Sequence, residues 1–174
     1  LRLDGVTARL QELPVRFDGI VELGPPIQLD LVGESAVDLD VVRSWLPPDA
    51  PIIVREASGP VRLRVQLAGT MPQPRWDGEA SVSGGRLALQ GLGPVLEDLT
   101  GTVRVSNDAM SVPALAFVVD GKRGTLRIEA ADLAGMPLVD VEAHLPYASL
   151  TGRARVRPDR VVVEAGTLAI GQSR

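Results

Sequence analysis

The feature that most constrains this chain is a strict alternation of apolar and polar residues. Residues 61–67 read VRLRVQL, and the same period of two returns over 126–130, 139–145 and 153–157. In an extended strand successive side chains point to opposite faces, so this pattern places the apolar side chains on one face. The sequence therefore predicts a sheet that has one apolar face and one polar face.

Short turn signals separate the alternating runs at the spacing of about 8–12 residues that is typical of antiparallel all-β folds. They are Asp4-Gly5, Asp18-Gly19, Gly24-Pro25-Pro26, Asp77-Gly78, Gly84-Gly85, Asn107-Asp108, Asp120-Gly121 and Pro158-Asp159. Gly, Pro, Asn and Asp supply the backbone angles of tight reversals. Apolar residues flank Asp18-Gly19 in strand register, so this pair also fits the interior of a strand. We expect an all-β, mostly antiparallel sheet of roughly 13 short strands.

One segment departs from the period of two and has the apolar spacing of a helix. Ser35 followed by Asp38 fits a capping box, and Pro47-Pro48 prevents a helix from continuing. These signals predict one short α-helix over 36–46. We expect Trp45 and Leu46, at its end, to cover an apolar area of the sheet.

Composition excludes several classes of function. The chain of 174 residues contains no Cys and a single His, His144, which excludes a disulfide framework and a typical zinc site. The net charge of -4 argues against a general nucleic-acid binder. Aromatic residues make up only 3% of the chain, so the apolar face must be mostly aliphatic.

No residue pattern predicts catalysis. Asp38 and Asp40 are two positions apart, and on a helix such residues do not face each other, so they form no acid–base pair. The glycines at 84–85 and 91–93 are too sparse for a phosphate-binding loop. We therefore expect no enzymatic activity, no metal site and no cofactor.

The candidate binding residues are the aliphatic side chains of the alternating strands. They are Val61, Leu63, Val65, Leu67, Val82, Leu87, Leu89, Val103, Val105, Leu126, Ile128, Val139 and Val141. Two arrangements fit this set: an open groove that meets an acyl chain, or the core of a closed β-sandwich that serves as a scaffold or interaction module.

The last predicted hairpin is unusually basic. Arg153, Arg155 and Arg157 alternate, so three guanidinium groups are expected to project from one face. Such a row suits contact with anionic lipid headgroups. The other interpretation is a set of solvated charges that protects an edge strand from aggregation.

The motifs of the central region follow one another in a set order. After the predicted helix come SGPVRL at 58–63 and LAGT at 67–70, then a Pro-containing connection. WDGEASV at 76–82, GGRLAL at 84–89 and LEDLTGTV at 96–103 follow. In this order the motifs resemble the AsmA-like superfamily of Gram-negative envelope proteins, particularly its TamB and YhdP branch. The resemblance is best over 37–130, and the basic final hairpin departs from it.

Proteins of that superfamily form long, taco-like β structures in which a curled sheet lines an apolar groove. The resemblance implies a β-taco or groove-like fold without catalytic residues. It implies a segment that binds or conducts phospholipid, or another acyl-chain lipid, between the inner and outer membranes and so supports outer-membrane biogenesis. It also implies a periplasmic location, with an inner-membrane anchor outside this fragment.

Residues 1–174 are expected to form a single β-rich domain of a longer chain. If the sheet continues in that longer chain, the edge strands of this fragment lack their neighbouring strands. We therefore expect end-to-end self-association, with other envelope proteins as further partners and no nucleic acid. The closed sandwich would act instead as a scaffold or interaction module of the cell envelope.

Overall fold

The computed structural model describes residues 1–10, 13–43, 54–90, 94–157 and 160–171, which contain twelve strands and one short helix. Strands β1 to β3 are Arg2–Leu10, Leu13–Glu22 and Gln28–Asp38, and helix α1 is Leu39–Arg43. Strands β4 to β12 are Val54–Ser58, Pro60–Thr70, Arg75–Leu89, Val95–Ser106, Ala109–Val119, Lys122–Ala131, Leu138–Leu145, Ala148–Val156 and Val161–Ile170.

All twelve strands belong to one curved antiparallel sheet. Its order is β1-β2-β3-β5-β6-β7-β8-β9-β10-β11-β12, and β4 pairs with the second half of β6. The two end strands, β1 and β12, do not pair with each other, so the sheet is not closed. The predicted all-β, antiparallel fold is confirmed. The closed sandwich is wrong for the described residues, because they form no second sheet that packs on the first.

The register carries the apolar alternation across the whole sheet. Residues opposite one another in an antiparallel pair share a face, so one row can be followed from strand to strand. This apolar row reads Val6, Phe17, Gly33, Val65, Gly78, Val105, Met110, Ala130, Val139, Ala154 and Val163 from β1 to β12. One face of the sheet is therefore apolar from edge to edge.

In the neighbouring row, on the opposite face, most residues are charged. This charged row reads Thr7, Arg16, Glu34, Arg64, Glu79, Arg104, Ser111, Glu129, Asp140, Arg153 and Ala165. From Arg16 to Arg104 the sign alternates strand by strand. Arg104 pairs with Glu79 at 3.1 Å, and Arg64 pairs with Glu34 at 3.9 Å. In this register opposite charges face each other, which favours it over a one-residue slip that would place them opposite apolar residues.

The best-buried cluster lies toward one end of the strands. Leu99, Phe117 and Val119 form it, and the partly buried side chains of Leu87 and Leu39 pack against it. Leu39 is the first residue of α1, so the helix covers an apolar area of the sheet through this side chain. Much of the remaining apolar face is only half-buried.

The helix begins later than the sequence predicts. It begins at Leu39, because residues 36–38 continue β3 in register with β5. The predicted start at residue 36 is therefore wrong, since strand pairing outweighs the local helical spacing. Trp45 and the predicted end at residue 46 lie outside the described residues.

Asp38, rather than Ser35, caps the first turn of α1. Asp38 Oδ1 accepts a hydrogen bond from the Asp40 amide at 3.0 Å, and Oδ2 accepts one from the Gly59 amide at 3.1 Å. These backbone donors, Asp40 first, hold the pKa of Asp38 below its ordinary value. The Ser35 hydroxyl instead donates to the Pro14 carbonyl at 2.7 Å, so the predicted capping box is wrong.

Three predicted turns lie inside strands. Asp4-Gly5 and Gly84-Gly85 occupy irregularities of β1 and β6, and Asp77-Gly78 lies in the regular β5–β6 ladder. Glycine supplies a bulge or a small side chain there rather than a reversal. Asp18-Gly19 lies within β2, as its flanking residues allow. The turns at 24–26, 107–108 and 120–121 are confirmed, and Pro158-Asp159 lies outside the described residues.

Candidate functional site

An apolar groove of about 410 Å³ lies on the apolar face of β2, β3, β5, β6 and β7. We call it the β2–β7 groove. Its apolar lining is Leu13, Val15, Phe17, Gly33, Leu63, Val65, Trp76, Gly78, Ala80, Val103 and Val105. Ser35 also lines it, and Arg64 and Glu79 border it although their register places them in the charged row. The groove follows from alternation in five strands whose apolar residues share one face.

The groove is not filled by the protein's own side chains. Val65 is 44% exposed and Trp76 is 37% exposed, whereas Leu13 is buried. The Ser35 hydroxyl is the one side-chain hydroxyl in the lining, and it donates to the Pro14 carbonyl. A polar group that already has a backbone partner does not require a bound water, so the hydroxyl does not interrupt the apolar surface.

One glycine, Gly78, gives the groove its depth, whereas the Phe17 ring covers the other, Gly33. Gly33 and Gly78 lie on either side of Val65 in the apolar row and contribute no side chain. A Cβ built on Gly78 would lie 3.7 Å from Trp76 Cζ3, which places the indole ring as a wall beside the open space. The Trp76 amide donates to Asn107 Oδ1 at 2.8 Å, and this bond holds the start of β6 against the β7–β8 turn.

The structure divides the predicted groove residues into three groups. Leu63, Val65, Val103 and Val105 line the β2–β7 groove. Val82, Leu87 and Leu126 pack against the buried cluster instead. The others lie elsewhere in the ladders: Val61 and Leu67 in β5, Leu89 opposite Val54, and Ile128, Val139 and Val141 farther along the apolar face. The apolar set is therefore one face, but only part of it forms the groove.

Sequence reasoning missed the part of the groove that β2 supplies. Residues 13–17 read LPVRF, which alternates as clearly as 61–67 does, so the signal was present. Trp76 and the space over Gly78 could not be located in the same way. Their role depends on the cross-strand register, which places Gly78 opposite Val65 and Val105.

Two of the three predicted headgroup arginines, Arg153 and Arg155, lie on the charged face and have carboxylate partners. Arg153 Nε and Nη2 donate to the two oxygens of Asp140 at 2.7 and 3.0 Å, and Arg155 Nε donates to Glu164 at 3.0 Å. Arg157 forms no ion pair with the part of the chain that the structure describes. Since these charges face away from the groove, they do not complement it, and we do not assign them a ligand.

Asp140 and Asp38 make the folding free energy depend on pH. The hydrogen bonds from Arg153 lower the pKa of Asp140, as backbone donors lower that of Asp38. A carboxyl with a lowered folded pKa stabilises the fold above its unfolded pKa, near 3.9, and loses that contribution as the pH falls through the folded value.

We therefore expect wild type to lose more stability between pH 7 and pH 3 than the variant D38N/D140N. Thermal unfolding followed by circular dichroism at both pH values measures the difference. Parallel losses in the two proteins would contradict the assignment.

The described residues hold no group of three or more His, Cys, Asp or Glu side chains placed to bind a metal ion. Among the same residues, no helix has the length and apolar character needed to cross a membrane. His144 is exposed, and its Nε2 lies 3.1 Å from Glu142 Oε1, which fits a surface histidine.

The chain was compared with protein-family models, with curated proteins and with solved structures. None of the three comparisons found a match. The resemblance to the AsmA-like superfamily therefore rests on the order of its motifs, and the function must be inferred from the groove itself.

Proposed function

We propose that this chain is a non-enzymatic, lipid-binding segment that holds acyl chains in the β2–β7 groove. The observation that carries the proposal is a half-exposed apolar groove of about 410 Å³ on the face of an unclosed sheet. Its lining combines aliphatic side chains with Phe17 and Trp76, and it offers no free polar side chain at the floor. Such a surface suits an unbranched hydrocarbon and gives a polar ligand no partner.

The free energy available from burying an acyl chain is of the same order as the cost of association. Each buried methylene supplies about 0.8 kcal/mol, so about ten methylenes supply about 8 kcal/mol. Association costs roughly 4–15 kcal/mol in lost freedom, and the surplus appears as affinity. The expected binding is therefore modest and reversible, which suits a protein that passes a ligand onward.

The continuous apolar row supports passage along the sheet. It crosses the eleven strands of the main path, which at about 4.8 Å per strand corresponds to roughly 50 Å. That distance exceeds the length of one acyl chain, so a lipid leaving the groove meets further apolar surface. Together with the AsmA-like motif order, this continuity supports a periplasmic role in phospholipid movement between the inner and outer membranes.

Filling the groove tests the proposal. The variant Gly78→Leu places a side chain over the floor, and its Cβ meets only ordinary contacts at 3.7 Å. We expect it to weaken binding of a fluorescent fatty acid to the delipidated chain at least tenfold, because the added side chain occupies the space that the ligand needs. Fluorescence titration measures the affinity, and circular dichroism checks that the sheet is retained.

Gly152→Leu is the matched control. Gly152 lies on the same apolar face, opposite Val141, but outside the β2–β7 groove, and its Cβ also has its nearest neighbour at 3.7 Å. This variant should bind like wild type. Equal affinity of Gly78→Leu and wild type, or no uptake by wild type, would contradict the proposal.

A further inference from the structure

The two edges of the sheet are protected to different degrees. Edge strand β1 carries an irregularity between Leu3 and Val6 and an ion pair between Arg2 and Asp4 at 2.9 Å. Charges and bulges of this kind keep an edge strand from pairing with other chains. The other edge strand, β12, carries Glu164 as its one charged residue, and Glu164 is bonded to Arg155.

Edge strand β12 is also the most exposed apolar segment of the described chain. Four of its side chains are 61–75% exposed: Val161, Val163, Leu168 and Ile170. Its only irregularity lies beside Glu164, so residues 165–170 form a regular, uncharged strand. A regular apolar edge strand without charge is a template for another strand.

Backbone hydrogen bonding shows which groups of β12 remain available. The Gly171 amide donates to the Tyr147 carbonyl at 2.9 Å, so Gly171 directs its backbone groups toward β11. Alternation along an antiparallel strand then directs the N–H and C=O groups of Ile170, Leu168 and Gly166 outward. The register places the side chains of Ile170 and Leu168 on the apolar face, opposite Ala148 and Leu150.

We propose that β12 pairs antiparallel with β12 of a second copy of this chain, about a two-fold axis at Leu168 that is perpendicular to the sheet. The direction of the strands favours this partner over a β1–β12 joint. The main path has eleven antiparallel strands, so β1 and β12 run in the same direction. A β1–β12 joint in a continuing sheet would be parallel, and parallel pairing is less stable per residue.

Two features place the axis at Leu168: the outward-directed backbone N–H and C=O groups of β12, and the negative charge of Glu164. The axis pairs residues 165–171 of one copy with 171–165 of the other, so Gly166 lies opposite Ile170 and the irregular Glu164 stays outside the ladder. The two Glu164 carboxylates are then roughly 27 Å apart along the strands. The symmetry also keeps the apolar faces of both copies on the same side. The two-fold axis gives a closed dimer rather than an open-ended series of copies. Formation of this dimer does not depend on lipid binding.

Cysteine cross-linking tests the register directly, because the chain contains no Cys of its own. In Leu168→Cys the two sulfurs meet at the axis, with Cα atoms about 5.5 Å apart, within the range for a disulfide. We expect mild oxidation of the delipidated protein to convert most of it to a covalent dimer. Val161→Cys, on the same edge and comparably exposed, has no opposing partner in this register and should stay mostly uncross-linked. Equal cross-linking of both variants, or of neither, would overturn the proposal.

Sedimentation provides the second measurement. Wild type should sediment as a reversible dimer of the 18.4 kDa chain, and Leu168→Lys should raise the dissociation constant at least tenfold by placing two ammonium groups at the axis. Val6→Lys, a matched change on β1, should leave the dimer intact. A monomer at all concentrations, an open-ended series of oligomers, or equal loss in the Val6 variant would overturn the proposal.

Discussion

Gly59→Ala is expected to lower the free energy of unfolding by about 3 kcal/mol, the combined effect of backbone strain and overpacking. Gly59 joins β4 to β5 at a φ of +124°, a conformation that residues with a Cβ rarely adopt. A Cβ there would lie 2.6 Å from Gly85 Cα and 3.3 Å from Gly85 N. Because the obstacle is backbone, no side chain can move aside to relieve it.

Substitutions at two other glycines distinguish the cost of backbone strain from the cost of overpacking. Gly84 has a φ of +68° but nothing within 4 Å of its Cβ position, so Gly84→Ala should cost only the strain, about 1 kcal/mol. Gly152 has an ordinary φ and a nearest neighbour at 3.7 Å, so Gly152→Ala should be nearly neutral. Urea denaturation measures all three. A Gly59→Ala loss no larger than that of Gly84→Ala would contradict the close approach to Gly85.

Gly124→Val is expected to destabilise the chain by about 2–3 kcal/mol, because it forces side chains into an occupied space. Gly124 lies opposite Phe117, whose ring covers it, and a Cβ would lie 2.7 Å from Phe117 Cζ and 3.0 Å from the His144 carbonyl. Phe117 belongs to the buried cluster, so its ring cannot move into solvent without losing that burial.

A double-mutant cycle checks the cause of this loss. Phe117→Leu alone should be destabilising, but in the Gly124→Val background part of that cost should disappear, because the smaller side chain leaves room for valine. The free energies of unfolding of the four proteins measure the coupling. Strictly additive losses would contradict a direct contact between the ring and the new side chain.

The same pairing of ring and glycine occurs at a second place in the sheet. Phe17 lies opposite Gly33 in β3, as Phe117 lies opposite Gly124, and a Cβ on Gly33 would lie 2.9 Å from the Phe17 ring. Each ring therefore needs a cross-strand position without a side chain.

The sequence predicted the apolar face well because alternation has a direct structural meaning. Leu63 and Val65, chosen from VRLRVQL, do line the groove. Turns were less predictable, because Asp77-Gly78 has the composition of a turn and only pairing with β5 shows that it lies inside a strand. The predicted start of the helix was wrong for the same reason. Residues 36–38 lie in a segment with helical spacing, but they pair with β5 as a strand.

No single stretch of the sequence predicts where the groove ends. Val82 and Val103 both face the apolar side, yet Val82 packs against the buried cluster while Val103 lines the groove. The difference depends on the irregularity at Gly85 and on where the sheet curves, which are properties of several strands together. Sequence alternation therefore identifies the face, and the pairing of several strands determines which part of it forms the groove.

Contact between Trp76 and a bound acyl chain tests the central claim most directly. Trp45→Phe leaves Trp76 as the only tryptophan, so its fluorescence reports on the wall of the groove. Fatty acids brominated along the chain quench an indole ring that they touch. We expect saturable quenching of Trp76 by the brominated fatty acid, none by a brominated short polar acid, and loss of quenching in Gly78→Leu. Unchanged Trp76 emission while native mass spectrometry shows the brominated fatty acid bound would contradict the claim.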